Sequence, residues 1–290
     1  MEQVHAVFAA AQHCNAPVIV QITPAARNYG HATMMHAMVR AAAQIYPNVV
    51  YALHLDHGTQ DHAIAAIHEG FTSVMIDASH EPFERNVMTT QSVVAAAQLN
   101  NIWVEAELGI LSGIEDDISV SASHAKYTNP MQAAVFVEQT GCNSLAVAVG
   151  TSHGAYKFSG GGGLKFEVLK AIQQQLPGFP LVLHGASMVN PAMVAEINSL
   201  GGQLNEGASG VSQADITEAI KYGICKINIA TDLRLLWTLT HRSFFHSQPG
   251  LFDPVIPGKE FMKHCKTLLA ERFEILGATG KSTSLLQYAA

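Results

Sequence analysis

The stretch 49–58, VVYALHLDHG, decides how this chain is read. It is an apolar run interrupted only by His54, and it ends abruptly on Asp56, His57 and Gly58. A short apolar run without alternation suits a strand buried on both faces, as in a parallel sheet. Taking 49–56 as that strand and working outward, six further runs have the same form: 17–22 (PVIVQI), 73–79 (SVMIDAS), 102–109 (IWVEAELG), 144–150 (SLAVAVG), 181–187 (LVLHGAS) and 225–231 (CKINIAT). Helical periodicity fills the intervals at 33–45, 61–69, 83–99, 129–139 and 166–175. Strands alternating with helices, with no block of strands alone, indicate α/β architecture.

The competing arrangement is a doubly wound sheet, which usually carries a glycine-rich turn after its first strand. No strand here is followed by GxGxxG. Seven strand–helix units in 290 residues favour a (β/α)8 TIM barrel. Residues 1–14 already read as a helix, with apolar Val4, Val7, Phe8 and Ala11 on one face. The expectation is therefore a barrel that lacks its first strand in this chain. Helices at 232–246 and 261–276, separated by a Pro/Gly-containing loop at 248–258, pack on it. Segment 201–212, rich in Gly, Ser and Asn, reads as an exposed insertion before the last strand. The organisation expected is a single domain over 1–290, with the barrel at 1–231 and C-terminal helices at 232–290.

Hydrophobic residues make up 48% of the chain and charged residues 13%, which implies a large buried interior. No apolar run approaches the ~20 residues of a membrane span. The net charge of −7 with no basic cluster argues against nucleic acid or an anionic membrane as partner. Cys14, Cys142, Cys225 and Cys265 are scattered without CxxC spacing, as expected of buried thiols in a reducing cytoplasm. The N-terminus carries no basic region followed by an apolar core, so no signal peptide is expected.

In a barrel, chemistry sits where strands end and βα loops begin. Those ends are polar here: Asp56-His57-Gly58, Asp77-Ala78-Ser79-His80, Glu105-Ala106-Glu107, Gly150 to Gly154, His184-Gly185-Ala186-Ser187, and Asn228 to Asp232. Turn chemistry predicts Gly, Asn, Pro and Ser at such places, not three histidines with carboxylates. His57, His153 and His184 can supply a three-ligand zinc site with an open fourth position. A polar rim without metal is the competing reading at this level. His54 lies inside its strand and reads as a packed or supporting histidine, and His80 is a weaker candidate ligand. The other histidines fall on helices or loops away from strand ends. The glycine run 160–163 follows no strand directly and reads as a mobile loop. Gly154, Gly185 and Ser187, with Lys157 near in sequence, offer anion-binding groups. The 228–231 turn opens a helix whose N-terminus favours a phosphate.

LDHG (55–58), MIDAS (75–79), VEAELG (104–109), GIEDD (113–117), YTNP (127–130), GTSHGAYKF (150–158), LHGAS (183–187) and KINIATDLR (226–234) occur in this order. Together they resemble the class II, zinc-dependent fructose-1,6-bisphosphate and tagatose-1,6-bisphosphate aldolases. The resemblance implies reversible cleavage of a ketose bisphosphate into dihydroxyacetone phosphate and a phosphorylated aldehyde, glyceraldehyde 3-phosphate for the fructose ester. It implies zinc on His57, His153 and His184, with Asp77 and Glu107 beside an alternative metal position. Asp56 would exchange the C4 hydroxyl proton and Glu115 the C3 proton. Gly154, Lys157, Gly185, Ser187, Asn228 and Thr231 would hold one phosphate beside a sodium or potassium ion. Arg234 would hold the distal phosphate, often from the partner subunit of a homodimer or homotetramer. Family members also carry an Ala-Phe-Asn strand before the segment that begins here. One departure bears on the sugar: Ala230 stands where fructose-bisphosphate enzymes usually carry aspartate. Tagatose-bisphosphate enzymes tend to read as this chain does, whereas 201–212, GTSHGAYKF and Arg234 look like the fructose branch. A relative that keeps the fold without catalysis is the rival from another class.

Overall fold

Seven short strands build one parallel sheet: β1 (Val18–Ile22), β2 (Tyr51–Gly58), β3 (Ser73–Ile76), β4 (Trp103–Leu108), β7 (Ser144–Val147), β9 (Leu181–Leu183) and β10 (Ile224–Ile227). Each lies within or beside a run expected from the sequence. Their spatial order is their chain order, β1-β2-β3-β4-β7-β9-β10, and every neighbouring pair is parallel. A doubly wound sheet reverses its order at a switch point. This sheet never reverses, so each unit extends the same curling wall. The result is α/β and TIM-barrel-like, with β1 and β10 as its two edges. The structure is a computed structural model that describes residues 1–115, 118–120, 126–153 and 163–284, without the side chains of 112–115, 118–120 and 153. A second small sheet, β6-β5-β8, joins β5 (Ser112–Glu115), β6 (Ile118–Val120) and β8 (Ser152–His153) above the wall.

Eleven helices are assigned among the described residues. In chain order they are α1 (Glu2–Cys14), α2 (Pro24–Gly30), α3 (Ala32–Ile45), α4 (Gln60–His68), α5 (Phe83–Gln98), α6 (Pro130–Thr140), α7 (Phe166–Gln175), α8 (Pro191–Ser199), α9 (Gln213–Ile220), α10 (Thr231–Ser247) and α11 (Val255–Ile275). Three starts have the same local cause. Thr23, Asn129 and Asn190 cap the first backbone N–H groups, and a proline follows at once where no intrahelical N–H is lost. Helices α2, α8 and α9 were not expected from periodicity. Segment 201–212 is not simply exposed: Ala208 and Val211 are buried. The last helix begins at Val255, earlier than expected, because Pro257 is tolerated in a first turn. No helix among the described residues is long and apolar enough to cross a membrane.

Strand alternation divides the core. Leu55, Val74, Ile76, Leu145, Leu181 and Leu183 pack outward with Phe8, Phe136, Leu169 and Ile172 of the helices. Met75, Ala146 and Val182 form a separate small cluster on the inner face. Register carries that inner face around the wall, since Met75 pairs with Glu105, Glu107 with Ala146, Ala146 with Val182, and Val182 with Lys226. At the other end, Gln21 pairs with His54 and His54 with Ser73. The inner face is therefore apolar at its centre and ionisable around it. Outside, α1 and α11 form the most extensive contact between any two elements, and α10 packs on α8 and α11.

Candidate metal and substrate site

Asp56 and His57 are neighbours on one strand, so regular alternation would send one of them outward. The chain avoids this with a register irregularity between Leu55 and Gly58. His57 there adopts φ +48, in the left-handed region that β-strand residues rarely occupy. Both side chains then reach the same place. His57 Nε2 faces His184 Nδ1 at 2.8 Å, with the two rings nearly perpendicular. On its far side His57 Nδ1 contacts Asp77 Oδ2 at 3.2 Å and lies 3.9 Å from Glu107 Oε2. On its far side His184 Nε2 contacts Glu105 Oε1 at 2.8 Å. Asp56 accepts a hydrogen bond from Asn228 Nδ2 at 3.0 Å.

Two sets of donor atoms lie within 4.8 Å of one another: Asp56, His57 and His184, and then His57, Asp77 and Glu107. These residues fit a divalent metal. Each imidazole turns one nitrogen inward and anchors the other on a carboxylate, the arrangement that orients metal-binding histidines. Burial and the neighbouring His57 lower the His184 pKa, which keeps its ring neutral, the form that ligates. Burial would raise the pKa of Asp77, but hydrogen bonding and charge at His57, with bonds from Ser79, hold it below the usual carboxylate range.

Beneath the imidazoles lies a charge pair. Lys226 Nζ stands 2.9 Å from Glu105 Oε2 and 2.8 Å from Asn228 Oδ1, and Glu105 is only 2% exposed. Burial raises the Glu105 pKa, yet the charge of Lys226 and the hydrogen bond with His184 outweigh it and hold it below the usual carboxylate range. Burial and then Lys226 push His54 down to about 3, so that ring is neutral. His54 holds Ser73 Oγ at 2.8 Å, which is the supporting role its place in mid-strand suggested.

The other side of the site is made of loops. Ser187, buried after β9, accepts from the backbone N–H of Ala230 at 3.3 Å and of Thr231 at 3.2 Å, where α10 begins. Asp232 answers in the other direction, accepting from Met188 N at 3.1 Å and Val189 N at 2.8 Å, with Arg272 of α11 at 3.3 Å. Two glycines permit the close approach. A Cβ on Gly185 (φ +61) would lie 2.5 Å from the Ser152 carbonyl oxygen, and one on Gly210 would lie 2.1 Å from that of Ser187. Gly185 thus brings the His184 strand end against the strand that carries His153.

Asp56, His57, Asp77, Glu107, His184, Gly185, Ser187, Asn228 and Thr231 gather at one end of the wall. The backbones carrying Glu115 and His153 come together too, since β5 pairs in parallel with β8 through Ser112–Ser152 and Gly113–His153. Their side chains lie outside the described residues, as do Gly154, Lys157 and the glycines at 160–162. Arg234 is exposed on the first turn of α10, and His80 is exposed away from the cluster. Sequence reasoning gave Glu105 and Lys226 no role. Alternation supplied the signal: Glu105 shares a face with Glu107 and Lys226 with Asn228, and opposite charges buried among apolar strands must pair.

A curling parallel wall with carboxylate-backed imidazoles at its strand ends is the frame of a metal-dependent barrel enzyme. The model of the class II fructose-bisphosphate aldolases matches residues 1–203 and 205–281, and the chain belongs to that family. It is 42% identical to a fructose-bisphosphate aldolase of Thermus caldophilus over 286 residues, covering 97% of this chain and 92% of the relative. With a fructose-bisphosphate aldolase of Giardia intestinalis the identity is 39%, over 97% and 86%. Among solved structures, the YdjI aldolase of Escherichia coli K12 superposes with a TM-score of 0.75 at 31% identity, covering 97% of this chain and 90% of that one. A Coccidioides immitis protein described as a putative fructose-1,6-bisphosphate aldolase reaches 0.80 at 24% identity over 98% and 90%, a likeness of fold.

Proposed function

We propose that this chain catalyses the reversible, zinc-dependent cleavage of fructose 1,6-bisphosphate to dihydroxyacetone phosphate and glyceraldehyde 3-phosphate. The observation that carries this is the pair of facing imidazoles, His57 and His184, each backed by a carboxylate and set beside an Asp56 oriented by Asn228. His57, His184 and His153 are the zinc ligands in this reading, with Asp77 and Glu107 at an alternative position. Zinc held there would supply a Lewis acid to the ketose. Asp56 takes the C4 hydroxyl proton as the C3–C4 bond breaks, and the hydrogen bond from Asn228 fixes which of its oxygens turns to the sugar. The electron pair of that bond passes into the enediolate of the three-carbon fragment, and Glu115 returns a proton to C3. Gly154, Lys157, Gly185, Ser187, Asn228 and Thr231 hold the phosphate of that fragment at the N-terminus of α10, beside a sodium or potassium ion. Arg234 takes the distal phosphate, across the interface of a homodimer or homotetramer.

In the same reading the wall is seven strands of a (β/α)8 barrel, with the place of the first strand between β10 and β1. Residues 1–231 and the helices of 232–290 work as one domain. Four free thiols suit a cytoplasmic setting. Ala230 at the head of α10 favours the alternative reading, a tagatose-1,6-bisphosphate aldolase. The test is metal removal. Chelation is expected to abolish cleavage and zinc to restore it, and borohydride added with substrate should trap no covalent adduct. Cleavage that survives thorough demetallation overturns the proposal.

A further inference from the structure

We propose that Lys226 is a positioning residue that decides, through Glu105 and Asn228, which atoms of His184 and Asn228 face the reaction. The proposal rests on the metal-site reading above and deepens it.

The contacts form a chain that closes on itself. Asn228 Nδ2 donates to Asp56 at 3.0 Å, and Asn228 Oδ1 accepts from Lys226 at 2.8 Å. Lys226 stands 2.9 Å from Glu105 Oε2, and Glu105 Oε1 contacts His184 Nε2 at 2.8 Å. His184 Nδ1 faces His57, the next residue after Asp56. Three members of this ring, Asn228 and the two histidines, are ambiguous by nature. An asparagine amide can flip, and a neutral imidazole can carry its proton on either nitrogen. The other members are not ambiguous. An ammonium only donates and an ionised carboxylate only accepts.

Lys226 therefore forces Asn228 Oδ1 toward itself and leaves Nδ2 for Asp56. Glu105, whose other oxygen is held by Lys226 at 2.9 Å, accepts at 2.8 Å from His184, which places the His184 proton on Nε2 and leaves the Nδ1 lone pair inward. One ammonium thus fixes the donor atom of a metal ligand on one side and the hydrogen bond to the base on the other. The Asn228 amide also lies 3.3 Å from both ring nitrogens of His184, so the two orientations are in contact. A neutral side chain at 226 releases both. Asn228 becomes free to flip, and Glu105 loses the partner that holds its second oxygen and so its position against His184.

The experiment compares Lys226→Met, Lys226→Gln, Glu105→Gln and the Lys226→Gln/Glu105→Gln pair with the parent. It reads zinc affinity by chelator competition, and kcat and KM separately. Each single variant should weaken zinc about 10–100-fold, the range for lost outer-shell support, and lower kcat more than it raises KM. The double variant should bind zinc no more weakly than the worse single one, because both act along one path. Lys226→Gln carries the test if Lys226→Met fails to fold. On the unmutated, zinc-free protein, imidazole ¹⁵N spectra should show His184 protonated at Nε2, which needs no variant at all. Zinc affinity and kcat within twofold of the parent in Lys226→Gln, additive losses in the pair, or a His184 protonated at Nδ1 each overturn the inference. A parent that cleaves only with zinc while Lys226→Gln is unaltered leaves the proposed function standing. A parent without zinc-dependent cleavage removes that function, and the ¹⁵N spectrum still decides the orientation.

Discussion

The two sides of the site are built by different means. Around His57 and His184 the working groups stand on strands, and charged side chains fix one another: Asp77 holds His57, Glu105 holds His184, and Lys226 holds Glu105. Around Ser187 and Thr231 they stand on loops, and backbone N–H groups are held by single side chains, Ser187 in one direction and Asp232 in the other. The difference follows from what each side must hold. A metal needs donor atoms fixed to fractions of an ångström, which strands in register provide. A phosphate needs several N–H groups turned the same way, which loops and helix N-termini provide. Damage to the first side should therefore appear in metal binding and kcat, and damage to the second in KM and stability.

The sharpest break is His184→Ala. It should lower kcat by about 10³-fold or more, since the Lewis acid loses a ligand and several kcal/mol of charge stabilisation. Zinc content measured on the same sample should fall with it, and a variant that keeps full zinc and full rate would remove His184 from the metal side. Asp232→Ala attacks the loop side. It leaves the N–H groups of Met188 and Val189 and the guanidinium of Arg272 without their acceptor, a loss of about 2–4 kcal/mol. Denaturant midpoints should report that loss, KM should rise several-fold, and zinc affinity should stay unchanged. A weakened zinc site in Asp232→Ala would show that the two sides are not separable. The smallest effect is expected of Ala230→Asp, which should shift the kcat/KM ratio toward fructose over tagatose bisphosphate by about tenfold, or ~1.4 kcal/mol. Parallel kinetics on the two epimers read it directly, and an unaltered ratio denies position 230 that role.

The same contrast explains what the sequence reveals. Strand-borne groups are legible because the apolar runs locate the strands and the polar residues that end them. His57 and His184 were singled out that way, while Asp77 and Glu107 stood among the polar strand ends and took a role only from the family resemblance. Their mutual support was not legible, because Glu105 on β4 meets Lys226 on β10 only when the wall curls, and the runs alone give no curvature. Nor does alternation foretell the left-handed backbone that lets Asp56 and His57 act together. The loop side was harder still. Asp232 was read as part of a helix start, which it is, but nothing in the pattern foretold that its carboxylate also clasps the turn after β9. Segment 201–212 was read as exposed from its Gly, Ser and Asn content, whereas Gly210 is there because the Ser187 carbonyl leaves no room for a side chain.

The packing of α1 on α11 has a consequence for how the protein is made. Glu2–Cys14 is synthesised before its principal neighbour, Val255–Ile275, which emerges some 240 residues later, roughly 12–50 s at about 5–20 residues per second. The nascent chain carries Ala6, Phe8, Ala10 and Ala11 through that interval without the helix that completes their surroundings. Backbone bonds from Gly280 to Cys14 and from Ser282 to Asn15 then fasten the late segment beside the early one. Until α11 is made, the buried face of α1 lacks its main cover, and that interval is the time a chaperone has to bind it.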